Sequence, residues 1–395
     1  MGHVLHCTGY DVTKTDIVRA EGCRLYDSRG RSFVDFEAGV WCTVLGHGHP
    51  RVTEMIRTQA AEVMHLGYRY THELMESAAL EVLDSLALPG GRCVFLSSGS
   101  EAVEFGVQAA RHLTGKPVLL ALANTYLAAY GSAGRKHSAE WFTLTWDECL
   151  NCPRGEACDT DCPRWREIPF DRIGGLVFEP GNSGGLVRLP PVKVVQALAR
   201  HIRDRQGLVM VDEVTTGLGR TGAWYGFRHY GLDPDIIALG KGLGNGYPVS
   251  AVVLTHETAA RLEDDGFRWA QSHQNDPLGC AVAREVVRVI RDEELVARSH
   301  RLGARWWAEL QHMAAQYPPL REVRGLGLML AVEFAADSPS FSLRDVYRQL
   351  LDAGFIVGYK PEARLLRFYP PLIIGEGEID RLLAELDRIL AHPSS

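Results

Sequence analysis

Lysine is scarce in this sequence: Lys14, Lys116, Lys136, Lys193, Lys241 and Lys360 are the only six among 395 residues. An excess of positive charge is missing too. The formal net charge is -7, and a nucleic-acid footprint needs a clustered basic surface, so that class of partner is set aside. No apolar run approaches the roughly 18 residues of a membrane span. The opening Met1-Gly2-His3-Val4-Leu5-His6 lacks the basic and apolar regions of a secretory signal, and position 6 lacks the Ser or Thr of a myristoylation signal. Internal repeats and low-complexity stretches are absent. Nine cysteines, an odd number in a long chain, argue against a secreted disulfide framework. A cytoplasmic protein is expected, and 46% hydrophobic with 23% charged residues suits a soluble globular one.

What is present is an alternation of short apolar runs with longer amphipathic ones, the pattern of a parallel sheet covered by helices. Strands are expected at 92–96, 118–122, 175–178, 208–211 and 236–239, with a helix over 101–113 following the first. From about residue 277 long helices take over, near 278–291 and 300–317, followed by a strand pair and a last helix over 376–390. The reading is an α/β fold: a large domain over 46–276 with a mainly parallel sheet, a smaller α+β domain over 277–395, and an N-terminal segment, 1–45, that joins the small domain.

Lys241 stands apart from the other lysines. It follows the apolar run Asp235-Ile236-Ile237-Ala238-Leu239-Gly240 and precedes Gly242-Leu243-Gly244. An ammonium at a buried strand end is costly unless paired or deprotonated, and the glycines let another group come close. The plain alternative is a strand-end lysine reaching solvent. Asp212 ends a second apolar strand, Leu208-Val209-Met210-Val211, where a carboxylate needs a cationic partner. A protonated ring nitrogen, a metal ion or a helix N-terminus would each serve. Ser97-Ser98-Gly99-Ser100-Glu101 lies between strand and helix, where amides and hydroxyls suit a phosphate, although Ser100 could simply cap the helix. Gly217-Leu218-Gly219-Arg220-Thr221-Gly222 fits a dinucleotide fingerprint, but Ala223-Trp224-Tyr225-Gly226-Phe227 is a poor helix opening, so a nicotinamide site is not expected.

These segments together resemble the class III aminotransferases, the fold-type I group that includes ornithine, acetylornithine, 4-aminobutyrate and ω-amino-acid transaminases. The similarity runs from about Asp27 to Leu390. Its markers are Phe36-Glu37-Ala38-Gly39 with Gly46-His47-Gly48-His49-Pro50, then Ser98-Gly99-Ser100-Glu101-Ala102 and Glu179-Pro180. Asp212-Glu213-Val214 with Thr216-Gly217 and Gly219-Arg220-Thr221-Gly222 follows, then Gly240-Lys241-Gly242 and Gly246-Tyr247-Pro248.

The resemblance implies pyridoxal 5'-phosphate as cofactor, Lys241 as its Schiff-base lysine and proton carrier, and Asp212 as partner of the pyridine nitrogen. It implies Ser98, Gly99 and Ser100 as a phosphate cup, Val214 and Tyr126 on the two ring faces, and Ser272 as a phosphate ligand given to the neighbouring subunit of a homodimer. Arg367 resembles the family's carboxylate clamp, with a surface salt bridge as the alternative, and Trp41 resembles a pocket aromatic, with plain core as the alternative. The H-x-H of His47 and His49 is read as a structural turn rather than a metal site. Substrates are then a small amino acid and a 2-oxo acid. Racemisation, epimerisation or lyase chemistry on the same scaffold is the second reading, and a non-catalytic binding homologue the third.

The sequence departs from the family pattern at several positions. Leu127 and Ala128 replace the usual His-Gly after the stacking aromatic, and Thr215 replaces a frequent Gln. Gly184 stands where some relatives carry the Glu that covers the clamp arginine, so Arg367 is expected to stay free for a carboxylate next to the reacting amine. Cys149-x2-Cys152-x5-Cys158-x3-Cys162 forms a Cys-rich insertion over 149–162. Paired cysteines at this spacing suit zinc or an iron–sulfur cluster, with free thiols or a disulfide as the alternative.

Overall fold

The apolar runs of the sequence become strands of a buried sheet. The computed structural model describes residues 3–6, 12–152, 158, 162–181, 184–338 and 341–392; Cys7, Asn182 and Ser183 lie outside them. Three short strands come first: β1 (Ile17–Glu21), β2 (Arg24–Asp27) and β3 (Ser32–Asp35). The central sheet is built from β4 (Arg92–Leu96), β5 (Val118–Leu122), β6 (Trp141–Leu144), β7 (Ile173–Phe178), β8 (Leu208–Asp212), β9 (Ile236–Leu239) and β10 (Ser250–Leu254). Their spatial order is β4-β10-β9-β8-β7-β5-β6. Every neighbouring pair is parallel except those of β10, which runs antiparallel to both β4 and β9. Strands β5 and β7 to β10 are buried along their whole length. A strand covered on both faces has no polar side, which is why these segments read as continuous apolar runs.

Helices cover that sheet: α1 (Pro50–Glu62), α2 (Glu73–Leu86), α3 (Gly99–Thr114), α4 (Val192–Arg203), α5 (His256–Asp264) and α6 (Pro277–Asp292). Helix α6 packs against α1 and α2. The long α7 (Leu295–Gln316) then leads to β11 (Leu320–Leu326), β12 (Met329–Phe334), α8 (Leu343–Asp352), β13 (Phe355–Ile356), β14 (Gly358–Lys360), β15 (Leu365–Phe368) and α9 (Glu376–Ala391). Strands β11, β12, β15 and β14 form one four-stranded sheet; β1, β2 and β3 form another, completed by β13. Phe355 pairs in parallel with Val34, joining the two ends of the chain. Phe36 and Phe368 both pack on Trp306, with ring centroids 5.5 and 5.2 Å away. The α/β class with a mainly parallel sheet is borne out. Among the described residues no helix is long and apolar enough to cross a membrane.

Candidate active site

The site begins where β3 ends. Asp35 accepts hydrogen bonds from the amides of Glu37 at 2.8 Å, Ala38 at 2.9 Å and Gly39 at 3.3 Å, and its carboxylate meets His47 Nε2 at 2.9 Å. Those bonds hold residues 38–41 in a left-handed turn, with φ of 46°, 57°, 59° and 70° in order. An L-residue in that region costs about 1–2 kcal/mol, and such strain is retained where it places a functional side chain. Here it puts Trp41 in the interior, stacked on Tyr369 with centroids 4.8 Å apart. His49 Nε2 lies 3.6 Å from a different acid, Glu293, so the two histidines of the H-x-H do not share a ligand.

Four chain segments converge at the carboxyl ends of the parallel strands, where open α/β sheets place their ligands. Lys241 follows β9 and Asp212 ends β8. Lys241 Nζ donates to Thr215 Oγ1 at 2.7 Å and lies 4.8 Å from the centre of the Trp41 indole. Burial pushes the Lys241 ammonium below its ordinary pKa, against the upward pull of Asp212 and then Glu179. Burial likewise raises the Asp212 carboxyl, opposed by the Val214 amide, which it accepts at 3.0 Å, and by Lys241. Burial thus disfavours the charged form of both groups, and each is the other's nearest compensating charge.

Beside them α3 begins. Ser98 Oγ accepts from the Glu101 amide at 3.3 Å, while Glu101 Oε2 accepts from Ser97 N and Ser98 N at 2.8 and 3.0 Å, a complete capping box. The next amides, of Gly99 and Ser100, have no partner within the helix and stand open to an anion. A Cβ on Gly99 would come within 2.7 Å of Val214, and one on Gly240 within 3.2 Å of the Gly99 Cα. Only glycines let Lys241, Val214 and the helix start meet this closely. Ser100 Oγ is engaged by the Ala129 amide at 3.0 Å. Tyr126 is 49% exposed and Ser272 is exposed, so a single chain leaves both at the rim.

Arg367 does not stand free. Its Nη2 lies 3.3 Å from Glu37 Oε2, and its guanidinium sits 5.1 Å from the centre of the Trp41 ring, so both cations, Lys241 and Arg367, rest on one indole. Gly184 indeed brings no carboxylate there; Glu37, just before the strained turn, covers the arginine instead. Burial pushes the Glu37 carboxyl up to about 7, opposed chiefly by Arg367. Glu37 Oε1, Trp41 Nε1, Arg367 Nε and Tyr369 OH are all buried without a hydrogen-bond partner. A carboxylate-bearing ligand answers the three donors among them, Trp41 Nε1, Arg367 Nε and Tyr369 OH.

Several members of the site were not legible in the sequence. Lys136, which nothing local sets apart from the other lysines, is half-buried, donates to Tyr126 O at 2.7 Å and lies within electrostatic reach of Glu179 and Asp212. Buried Glu179 accepts from the Tyr126 amide at 3.1 Å. Leu127, one of the departures, takes a left-handed φ of 59°. The glycine-rich 217–222 segment opens no helix: Arg220 is buried and donates to Leu328 O at 3.0 Å and Pro370 O at 2.6 Å, tying this segment to the β11–β12 turn and to the chain just after β15.

The four cysteines line one cavity, and all are free thiols. Among the described residues, three metal-ligating atoms lie mutually within 4.8 Å at His65, His273 and Asp276 alone. There Asp276 is already held by His65 Nδ1 at 2.5 Å and His273 Nδ1 at 2.6 Å.

Comparison with known proteins gives one answer. The family model described as aminotransferase class-III matches residues 7–131 and 151–390. An acetylornithine aminotransferase of Methanothermobacter thermautotrophicus is 31% identical over 378 residues, 94% of this chain and 92% of that protein. One of Methanocaldococcus jannaschii is 30% identical over 387 residues, 95% of this chain and 93% of that protein. Among solved structures, an amine transaminase from an uncultivated Pseudomonas species, with PLP bound, superposes with a TM-score of 0.88 at 25% identity, covering 99% of both chains. The ornithine aminotransferase of Toxoplasma gondii superposes with a TM-score of 0.82 at 26% identity, over 98% of this chain and 92% of that one.

Proposed function

Because the chain belongs to the class III aminotransferases, pyridoxal-phosphate enzymes that move an amino group between an amino acid and a 2-oxo acid, we propose that Lys241 carries the cofactor and that Asp212 holds its ring nitrogen. The observation that carries this reading is the meeting of Lys241, Asp212, Val214 and the start of α3 at the carboxyl ends of β4, β8 and β9. These residues fit the group: a depressed amine, a buried carboxylate needing a cation, an open helix start, and glycines that leave no Cβ in the way.

When bound, pyridoxal phosphate supplies a carbonyl that takes up the amine and a ring that withdraws electrons from the bonds at the substrate's Cα. Lys241 would hold the cofactor and, when not bound to it, its Nζ would take the proton from the substrate's Cα. Asp212 would present its carboxylate to the ring nitrogen and hold the proton there. The Gly99 and Ser100 amides with Ser98 would hold the phosphate, and Val214 and Tyr126 would flank the ring. Trp41 shields Lys241 from water. Arg367 binds the carboxylate of the 2-oxo acid in two-pronged fashion.

The homodimer belongs to the same reading. Met64, Tyr68 and Tyr70 are 54%, 63% and 70% exposed. Met64 O accepts from Leu278 N, and His65 shares Asp276 with His273, so this apolar stretch runs beside Ser272. Exposed apolar surface of this kind supports an interface, and Ser272 would reach the phosphate of the partner subunit across it. A cytoplasmic location suits an enzyme of free thiols.

Borohydride reduction followed by peptide mapping tests the assignment. The cofactor mass is expected on the peptide containing Lys241; its appearance on any other lysine would overturn it.

A further inference from the structure

Between β6 and β7 the chain runs from Thr145 to Arg172 without a strand, with helical turns only at Asp147–Cys149, Pro163–Arg166 and Phe170–Arg172 among the described residues. Connections longer than about 12–15 residues with so little regular structure are uncommon in compact domains, because few backbone bonds offset their ordering. The family match stops at 131 and resumes at 151, so Cys149 lies outside the matched residues and Cys152, Cys158 and Cys162 lie within them.

Both ends of the connection are brought together. Arg164 Nη1 donates to Thr145 Oγ1 at 2.9 Å, and the same guanidinium pairs with Glu148. Backbone turns bend the chain at Cys149–Cys152 and just after Cys162. The Cys149 amide donates to Trp146 O at 2.8 Å, the Cys152 amide bends back to Cys149 O at 3.4 Å, and the Trp165 amide bonds Cys162 O at 3.0 Å. Trp165 is buried and stacks on Phe170, both against His201 of α4. The result is a single cavity lined by Cys149, Cys152, Cys158 and Cys162, with Arg164 and Lys193 on its wall.

We propose that Cys149, Cys152, Cys158 and Cys162 bind one zinc ion that closes this connection on itself. Four thiolates around zinc carry a net charge of about -2, and the two cations on the cavity wall, Arg164 and Lys193, offset it. Four protein ligands close the coordination sphere, so the ion is structural and takes no part in amino transfer. None of the residues lining this cavity belongs to the cofactor site. Among the described residues no three of the four sulfurs lie mutually within 4.8 Å. Binding therefore draws them inward, to Zn–S distances of about 2.3 Å.

The test uses the full-length holoenzyme expressed with zinc in the medium. Metal analysis is expected to give about one zinc per chain, falling below about a tenth in a Cys152→Ser/Cys158→Ser variant whose pyridoxal phosphate content is unchanged. Removing the metal from the wild type with a chelator should lower its melting temperature, and adding zinc(II) should restore it. Should the variant fail to fold, a mercurial titration of the wild type replaces it: zinc is released in step with the reaction of the thiols. Negligible zinc in the wild type, equal zinc in wild type and variant, iron with inorganic sulfide in place of zinc, or thiols that react without releasing zinc would each overturn the proposal.

Discussion

Glu37 Oε2 lies 3.3 Å from Arg367 Nη2, so the arginine proposed to bind a substrate carboxylate already faces a carboxylate of the protein. A Cβ at Gly185 or Gly358 would collide with the guanidinium, which fixes where the pair sits. A 2-oxo acid must therefore compete with Glu37. Burial raises the Glu37 carboxyl to about 7. Below that pH the group is neutral and releases Arg367; above it the charge forms and the competition strengthens. The KM for the 2-oxo acid should accordingly rise between pH 6 and pH 8. Glu37→Gln should abolish that rise and lower KM at pH 8 about tenfold, the worth of one charge-assisted hydrogen bond. A KM that follows pH equally in both proteins would show that Glu37 does not cover the arginine in solution.

Asp212→Asn keeps the shape of the side chain and removes its charge. With no anion at the ring nitrogen, kcat should fall on the order of 10²–10³-fold, while bound pyridoxal phosphate stays stoichiometric. Turnover within a few-fold of wild type would remove Asp212 from the mechanism.

Ser98 serves two ends that one substitution separates. Aspartate caps a helix as well as serine does, so Ser98→Asp should leave the apoenzyme's unfolding free energy within about 0.5 kcal/mol of wild type. Its charge would repel a phosphate at Gly99 and Ser100, so cofactor affinity should drop at least tenfold. Unchanged affinity would place the phosphate elsewhere.

Trp41 is buried and touches Tyr369, Lys241 and Arg367. Trp41→Ala should cost about 3–5 kcal/mol in urea unfolding, and Trp41→Phe should recover most of it. Asp35→Ala, which leaves the Glu37, Ala38 and Gly39 amides without their acceptor, should raise KM for both substrates while the cofactor stays bound. An Asp35→Ala enzyme with normal KM values would mean that the left-handed turn holds without its carboxylate.

The sheet was legible because strands buried on both faces are written as unbroken apolar runs: β5 and β9 fall at the residues expected from sequence, as does the edge strand β4. β6, β1, β2 and β3 were not, being short strands at or outside the sheet's edge that are only partly covered. β10 is as apolar as its neighbours, but nothing local marks a strand that runs against the rest. Lys241 and Asp212 were visible since a charge at the end of an apolar run is rare. Glu37 was not, because its partner lies 330 positions away and the turn presenting it depends on Asp35. Lys136 was hidden in the same way: its burial comes from segments that meet only in the folded chain.

The most direct measurement is an absorbance spectrum of the purified holoenzyme and of Lys241→Ala, before and after a panel of amino donors is added without any 2-oxo acid. The wild type should show a visible band that the variant lacks. One donor should bleach it, leaving one equivalent each of pyridoxamine phosphate and the deaminated product. A protein that stays colourless with added pyridoxal phosphate, or a band that persists while the amino acid merely loses optical purity, would contradict the assignment of this site to amino transfer.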